Sequence, residues 1–181
     1  MRAALPEGPY LVVGDRLDDA TAFVLVASPR RDTVEEARFF AAKLAFETDV
    51  SDVAATGYAL AQTLKRESPD LVLLGQQSDD GECYTIGAVV ADHLQMPSLT
   101  QVIKIDVEDG KLRCERQAEY GYDTVEVQLP AVISVGDAIN EPRYPSLKAI
   151  MGAKKKPLDT KSSADVGIET DRVGAQGSRT E

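Results

Sequence analysis

The stretch from Gly75 to Gly87, GQQSDDGECYTIG, follows the nearly all-apolar run DLVLLG and turns from loop to helix near Glu82 or Cys83. Backbone N–H groups at a helix start have no intrahelical partner and favour an anion, so this loop could cradle a phosphate. Asp79, Asp80 and Glu82 already place carboxylates at that positive end, and self-capping is the stronger reading of the pattern taken alone. The sequence contains neither GxGxxG nor GxxxxGK[ST], the two standard phosphate fingerprints. A helix start would lower the thiol pKa of Cys83, but its acidic neighbours oppose that effect, so spacing gives no reactive nucleophile.

Two further constellations could carry chemistry. Arg116 and Glu119, with Glu115 and Asp123 nearby, could be read as an acid/base group, yet alternating charges on a hairpin are ordinarily a solvated face. His93 is the only histidine and sits late on a helical pattern, where a surface or dipole contact is the ordinary role. One histidine leaves little for a histidine-clustered metal site or a Ser/His/Asp triad. Cys83 and Cys114 form no CxxC, so neither a disulfide scaffold nor a cysteine zinc site is supported, and a reducing compartment fits best.

A separate feature is NEPRYPSLKAIMGAKKK, Asn140 to Lys156. Pro142 and Pro145 restrict the approach to a short helical stretch in which Leu147, Ile150 and Met151 share one face. Lys148 and the run Lys154, Lys155, Lys156 lie away from that face or beyond it. Two turns do not hold themselves in water, so the apolar face must be covered by the protein's own sheet or by another protein. Pattern alone favours core packing with solvated lysines.

The elements that must position these residues read as an α/β domain. The runs YLVV (Tyr10 to Val13) and AFVLVA (Ala22 to Ala27) are β-like, and Thr33 with Glu36 opens a helix through about Phe46. Ser51 is a plausible cap for VAATGYALAQTLKR, which carries Tyr58, Ala61, Leu64 and Lys65 in helical register and is weakened in its middle by Gly57. DLVLLG suits a buried parallel strand, and Ile86, Val89, Val90 and Leu94 form the buried face of the following helix. Beyond Pro97 the pattern becomes a hairpin: Ile103, Ile105 and Val107 alternate with charges, Asp109 and Gly110 turn, and KLRCER returns. Val125, Val127 and Leu129 alternate in the next strand, and AVISV is apolar enough for a central one. The fold class is therefore a mixed, largely parallel sheet of Rossmann-like type with an antiparallel hairpin. Residues 1–157 form one domain, and 158–181, rich in Ser, Thr, Gly and Asp, an extended or disordered arm.

At 181 residues, with 43% hydrophobic and 28% charged residues, the chain can bury a real core. Its net charge of -10 argues against broad nucleic-acid binding, and no stretch reads as an integral membrane span or a cleavable signal. A basic patch on an acidic body suggests directed protein contact.

From about Ser51 to Gly177 the chain resembles the electron transfer flavoprotein beta subunit family, most specifically in ERQAEYGYDTVEVQLPAVISV and NEPRYPSLKAIMGAKKK. The resemblance implies an adenine-nucleotide-binding α/β fold, an alpha-subunit partner holding most of the FAD, and electron carriage rather than substrate turnover. It implies that Leu147 is the leucine inserted into a partner dehydrogenase, flanked by Ile150, Met151 and the lysine run. It places AMP or a second FAD at Gly75 and at Cys83, Tyr84, Thr85, Ile86 and Gly87, where many members carry Asn-Gln-Thr or Ala-Gln-Val in place of Tyr84, Thr85 and Ile86. It places a contact with the flavin domain at Arg116 and Gln117, the latter standing where a glutamate is common. A cytoplasmic, bacterial-type carrier for flavin dehydrogenases follows. The alternatives on the same general fold are a nucleotide-hydrolysing or adenylyl-transferring enzyme and a nucleotide-binding sensor module. Met1 to Ala27 contains no match to the family's AVK-like opening strand, and its longer C-terminal arm is not reached. The chain is expected to be a fragment lacking parts of both ends.

Overall fold

The computed structural model describes residues 25–27, 52–77, 83–141, 147–148, 151 and 162–177. Helix α1, Val53–Glu67, starts because Asp52 holds extended backbone and its carboxylate accepts the Ala55 N–H at 2.8 Å. The cap is thus Asp52, one residue later than the Ser51 expected from spacing, and a carboxylate there also complements the helix dipole. The helix ends at Ser68, which takes a left-handed φ of 47° and returns its N–H to the Leu64 carbonyl. Tyr58, Ala61 and Leu64 are buried as their register requires, and Lys65 is exposed.

Gly57 has a positive task in the middle of α1. A Cβ at this position would lie 2.5 Å from Val89 Cγ1 and 3.1 Å from Val89 Cβ. The missing side chain therefore lets α1 approach helix α2, Ile86–Leu94. Ile86 and Leu94 pack partly buried on the same core, with Val90 and Ala91 fully buried beneath them.

Strands β1 (Leu25–Ala27), β2 (Leu71–Gly75), β3 (Ser98–Glu108), β4 (Lys111–Ala118), β5 (Gly121–Gln128) and β6 (Ala131–Val135) form one sheet in the order β1-β2-β6-β3-β4-β5. The sheet is mixed, and its parallel part is the central trio β2-β6-β3, while β1 joins β2 antiparallel. Strands β3, β4 and β5 form an antiparallel meander. Asp109 and Gly110 both take positive φ between β3 and β4, the geometry of a two-residue hairpin turn. AVISV is central, with Ala131 through Ser134 buried between β2 and β3.

Alternation along β2 and β6 divides the core into two layers. On one face Val72, Leu74 and Val132 pack against α1 and α2. On the other, Leu71, Ala131 and Ile133 pack with Leu99, Val102, Ile105, Leu112 and Cys114. A one-turn 3-10 helix, Asp137–Ile139, follows β6 and sets Ile139 against this second layer.

The C-terminal segment differs from the arm expected of its composition. Within 162–177 the chain forms α3 (Ser163–Val166), a 3-10 turn at Thr170–Arg172 and α4 (Gly174–Gly177). Val166, Ile168 and Val173 are buried in the α1–α2 layer. Three apolar residues in a polar run carry no periodicity, yet they supply its buried contacts. The expected strand at Tyr10 to Val13, the helix from Thr33, Ser51, the carboxylates Asp79, Asp80 and Glu82, the prolines Pro142 and Pro145, and Ile150 with Lys154, Lys155 and Lys156 lie outside the described residues.

Candidate functional site

The C-terminal ends of β2 and β6 lie side by side, with Gly75 in register with Val135. Helix α2 begins beside them, because Gly87 in its first turn packs against both strands. A Cβ on Gly87 would stand 3.5 Å from Ser134 Cβ and 3.7 Å from Leu74 Cδ1. Gly136, just past β6, gives its N–H to the Val102 carbonyl at 2.9 Å, and a Cβ there would lie 3.2 Å from Gln76 Oε1. Strand end, loop and helix start thus converge where open α/β sheets bind ligands.

The helix begins later than expected, at Ile86, leaving Cys83 and Tyr84 ahead of it. Thr85 occupies the N-cap position in helical backbone and makes no side-chain cap bond. Its hydroxyl lies 3.0 Å from Cys83 Sγ instead. The first-turn N–H groups of Ile86, Gly87 and Ala88 receive nothing from that side chain, which leaves a partial positive charge at the mouth. The hydroxyl and backbone of Thr85 lower the pKa of the Cys83 thiol, outweighing a small opposing effect of burial. Tyr84 is 49% exposed beside it.

Beneath this turn is Ser134, only 2% exposed, whose Oγ has no hydrogen-bond partner among the described residues. That oxygen lies 4.0 Å from the place a Gly87 Cβ would occupy. An unpartnered buried hydroxyl costs stability unless a ligand or water satisfies it. Ser134 did not stand out in the sequence, although it is the one polar residue inside AVISV.

The proposed partner-facing residues lie elsewhere. Leu147 and Met151 are helical and 75% and 60% exposed, and Lys148 between them is exposed as well. Arg116 pairs with Asp123 across the β4–β5 register, Nη2 to Oδ2 at 3.1 Å, and Glu119 is not its partner. The Tyr120 hydroxyl donates to both Asp123 oxygens, at 2.9 and 3.0 Å, and this bond raises the Tyr120 pKa. Glu115 instead pairs with Lys104 at 2.6 Å. This is a cross-strand charge lattice, with no acid/base pair in it. Gln117 is exposed opposite Tyr122. His93 is half-buried and meets the Tyr58 ring edge-on at 5.6 Å between centroids. Among the described residues no acidic, cysteine or histidine cluster could hold a metal, and no helix is long and apolar enough to cross a membrane.

The sheet topology and the helix start over its strand ends define a Rossmann-like α/β domain. Residues 21–166 match the family model for the electron transfer flavoprotein domain, and the chain belongs to that family. It is 46% identical over 125 residues to the electron transfer flavoprotein subunit beta of Mycobacterium tuberculosis, covering 68% of this chain and 47% of that protein. A caffeyl-CoA reductase-Etf complex subunit, CarD, of Acetobacterium woodii is 37% identical over 132 residues, 72% of this chain and 50% of its own length. The electron transfer flavoprotein subunit beta of Megasphaera elsdenii is 35% identical over 137 residues, 72% of this chain and 51% of its own. The chain spans about half the length of the curated relatives it matches.

Proposed function

We propose that this chain acts as the beta subunit of a heterodimeric electron transfer flavoprotein, paired with an alpha subunit that holds most of the FAD. In this reading it is a cytoplasmic electron carrier and not an enzyme. It accepts electrons from flavin dehydrogenases, such as acyl-CoA dehydrogenases, and passes them toward the respiratory chain. The observation that carries the docking role is the exposure of Leu147 and Met151 within a family match that extends over their segment. An apolar side chain held out on a short helix among lysines is an anchor that becomes buried only in a complex.

The residues at the strand ends fit the phosphate end of an adenine nucleotide, AMP or a second FAD. The first turn of α2 offers N–H groups that Thr85 leaves uncapped, Gly75 leaves the strand end without a side chain, Gly87 lets the helix sit close on the strands, and Ser134 holds a hydroxyl in need of a partner. Cys83, Tyr84 and Ile86 would line the same mouth. Arg116 and Gln117 would face the flavin domain of the alpha subunit. Bound FAD supplies the electron-accepting chemistry, and the residues of this chain bind, orient and dock.

Reconstitution with the cognate alpha subunit tests the reading. Leu147→Ala should raise the KM for the dehydrogenase by about tenfold or more, as loss of a central anchor does, and leave kcat unchanged. Unchanged dehydrogenase-dependent flavin reduction would refute the anchor assignment.

A further inference from the structure

The segment that carries Leu147 and Met151 is tethered at both ends, and the tethers lie on opposite faces of the sheet. At its start, Ile139 packs on the layer built from Leu99, Val102 and Ile133. At its end, Val166, Ile168 and Val173 pack on the layer built from α1 and α2. The second tether is the more easily released, because α3 is only four residues long and such a turn does not persist without docking. A capping box between Ser162 and Asp165 and a left-handed Gly167 shape the segment locally. Its attachment is made by other contacts.

Those contacts converge on Tyr58. The Glu169 N–H donates to the Tyr58 hydroxyl at 3.3 Å. Gln62 Nε2 donates to the same hydroxyl at 3.2 Å and to the Gly167 carbonyl at 3.2 Å. The Arg172 guanidinium lies 3.9 Å above the Tyr58 ring centroid, a cation–π contact, and His93 of α2 closes the ring edge-on. A tyrosine 5% exposed in the middle of α1 thus presents its polar end and its ring face to one short segment 111 residues away.

We infer that Tyr58 latches residues 162–177 to α1 as a strap, and that this latch positions the helical segment bearing Leu147 and Met151 for docking onto a partner protein. Tyr58 is a positioning residue in this scheme. The consequence for docking rests on the reading of Leu147 as the anchor. A released strap leaves that segment fixed at one end only, and the docking-competent fraction falls accordingly.

Amide exchange on the full chain reads the latch directly. Tyr58→Phe with Arg172→Gln removes the hydroxyl and the cation while keeping the ring in the core. Strap amides such as Glu169 should exchange about tenfold faster or more, and those of β6 and the interior of α1 should be unchanged. Acceleration spread equally over α1, α2 and β6, or none in the strap, overturns the latch. In the complex with the alpha subunit the same variant should raise the dehydrogenase KM about threefold or more at constant kcat, and Arg172→Lys with Tyr58 retained should stay near the parent. If Leu147→Ala raises KM and the double variant does not, the positioning role is overturned while the anchor stands. If Leu147→Ala itself has no effect, the anchor reading fails and takes the docking consequence with it.

Discussion

Gly57→Ala separates two accounts of the same residue. If Gly57 only weakens α1, alanine should stabilise the protein by about 1 kcal/mol through helix propensity. The structure gives the opposite sign. The new Cβ would fall 2.5 Å from Val89 Cγ1 and 3.1 Å from Val89 Cβ, with Ile86 Cδ1 at 3.7 Å. Val89 has little rotamer freedom on a helix, so the methyl cannot swing aside and the helices must part. Overpacking of this kind costs about 1–3 kcal/mol, which exceeds the propensity gain and leaves the variant about 1 kcal/mol less stable. Urea denaturation should show a lower midpoint at constant m-value. Adding Val89→Ala removes the obstructing methyl, so the double-mutant cycle should show a favourable coupling of about 1 kcal/mol or more. A raised midpoint for Gly57→Ala alone, or zero coupling, would refute the close approach. Because Ile86 opens α2, the proposed nucleotide site predicts that the single variant also binds AMP less well than the parent.

Ser134→Ala should stabilise the nucleotide-free chain by about 1 kcal/mol, since it removes an unpartnered buried hydroxyl, and weaken AMP binding by about tenfold; thermal unfolding with and without AMP checks both, and a destabilised nucleotide-free variant would show that the hydroxyl is already paired. The two thiols should divide by pH. Burial, with the Asp106 charge second, pushes Cys114 from the ordinary 9.0 up to about 11, so the native state keeps a proton that the unfolded chain loses. That contribution is intact below pH 9 and is lost as pH rises toward 11, and Cys114→Ala should flatten this limb of the stability curve. Cys83, lowered by Thr85, should alkylate first, with a half-point below 9.0 that Thr85→Val moves upward.

Local pattern carried most of the architecture, because burial on one or both faces writes itself into residue order. Alternation at Ile105 and Val107, the Asp109–Gly110 turn and the uninterrupted AVISV run all correspond to elements with the expected partners, while Ile103 falls in the register shift between Val102 and Lys104. What depends on contacts distant in sequence was not legible. Gly57 reads as a flaw until Val89 is opposite it, and Arg116 has several carboxylates within reach until the β4–β5 register selects Asp123. Docking of Val166, Ile168 and Val173 depends on Tyr58 and α1, which no local period in that polar run reports. The candidate site divides in the same way. Gly75, Thr85 and Gly87 follow from the strand–loop–helix grammar, whereas Ser134 joins them only because β6 lies beside β2 and beneath α2.

The charges of the meander bear on why the proposed docking signal is apolar. Lys104 pairs with Glu115 and Asp106, Lys111 with Glu126, and Arg116 with Asp123, so these cations are committed to neighbours in their own sheet. Exposed pairs add little stability, but they keep the open edge at β5 hydrophilic. On a chain of net charge -10, Lys104 and Lys111 paired in this way offer little free positive charge to a docking partner. Leu147 and Met151 offer surface that gains from leaving water, and gain in that form does not require a matched charge on every partner. In the proposed role, a carrier meeting several donors would be served by an anchor of this kind, provided its segment is held in place. Control of docking then falls to the two tethers, and the one at Tyr58, built on the bonds from Glu169 to Tyr58 and from Gln62 to Gly167 and on a stacked cation, is the adjustable one.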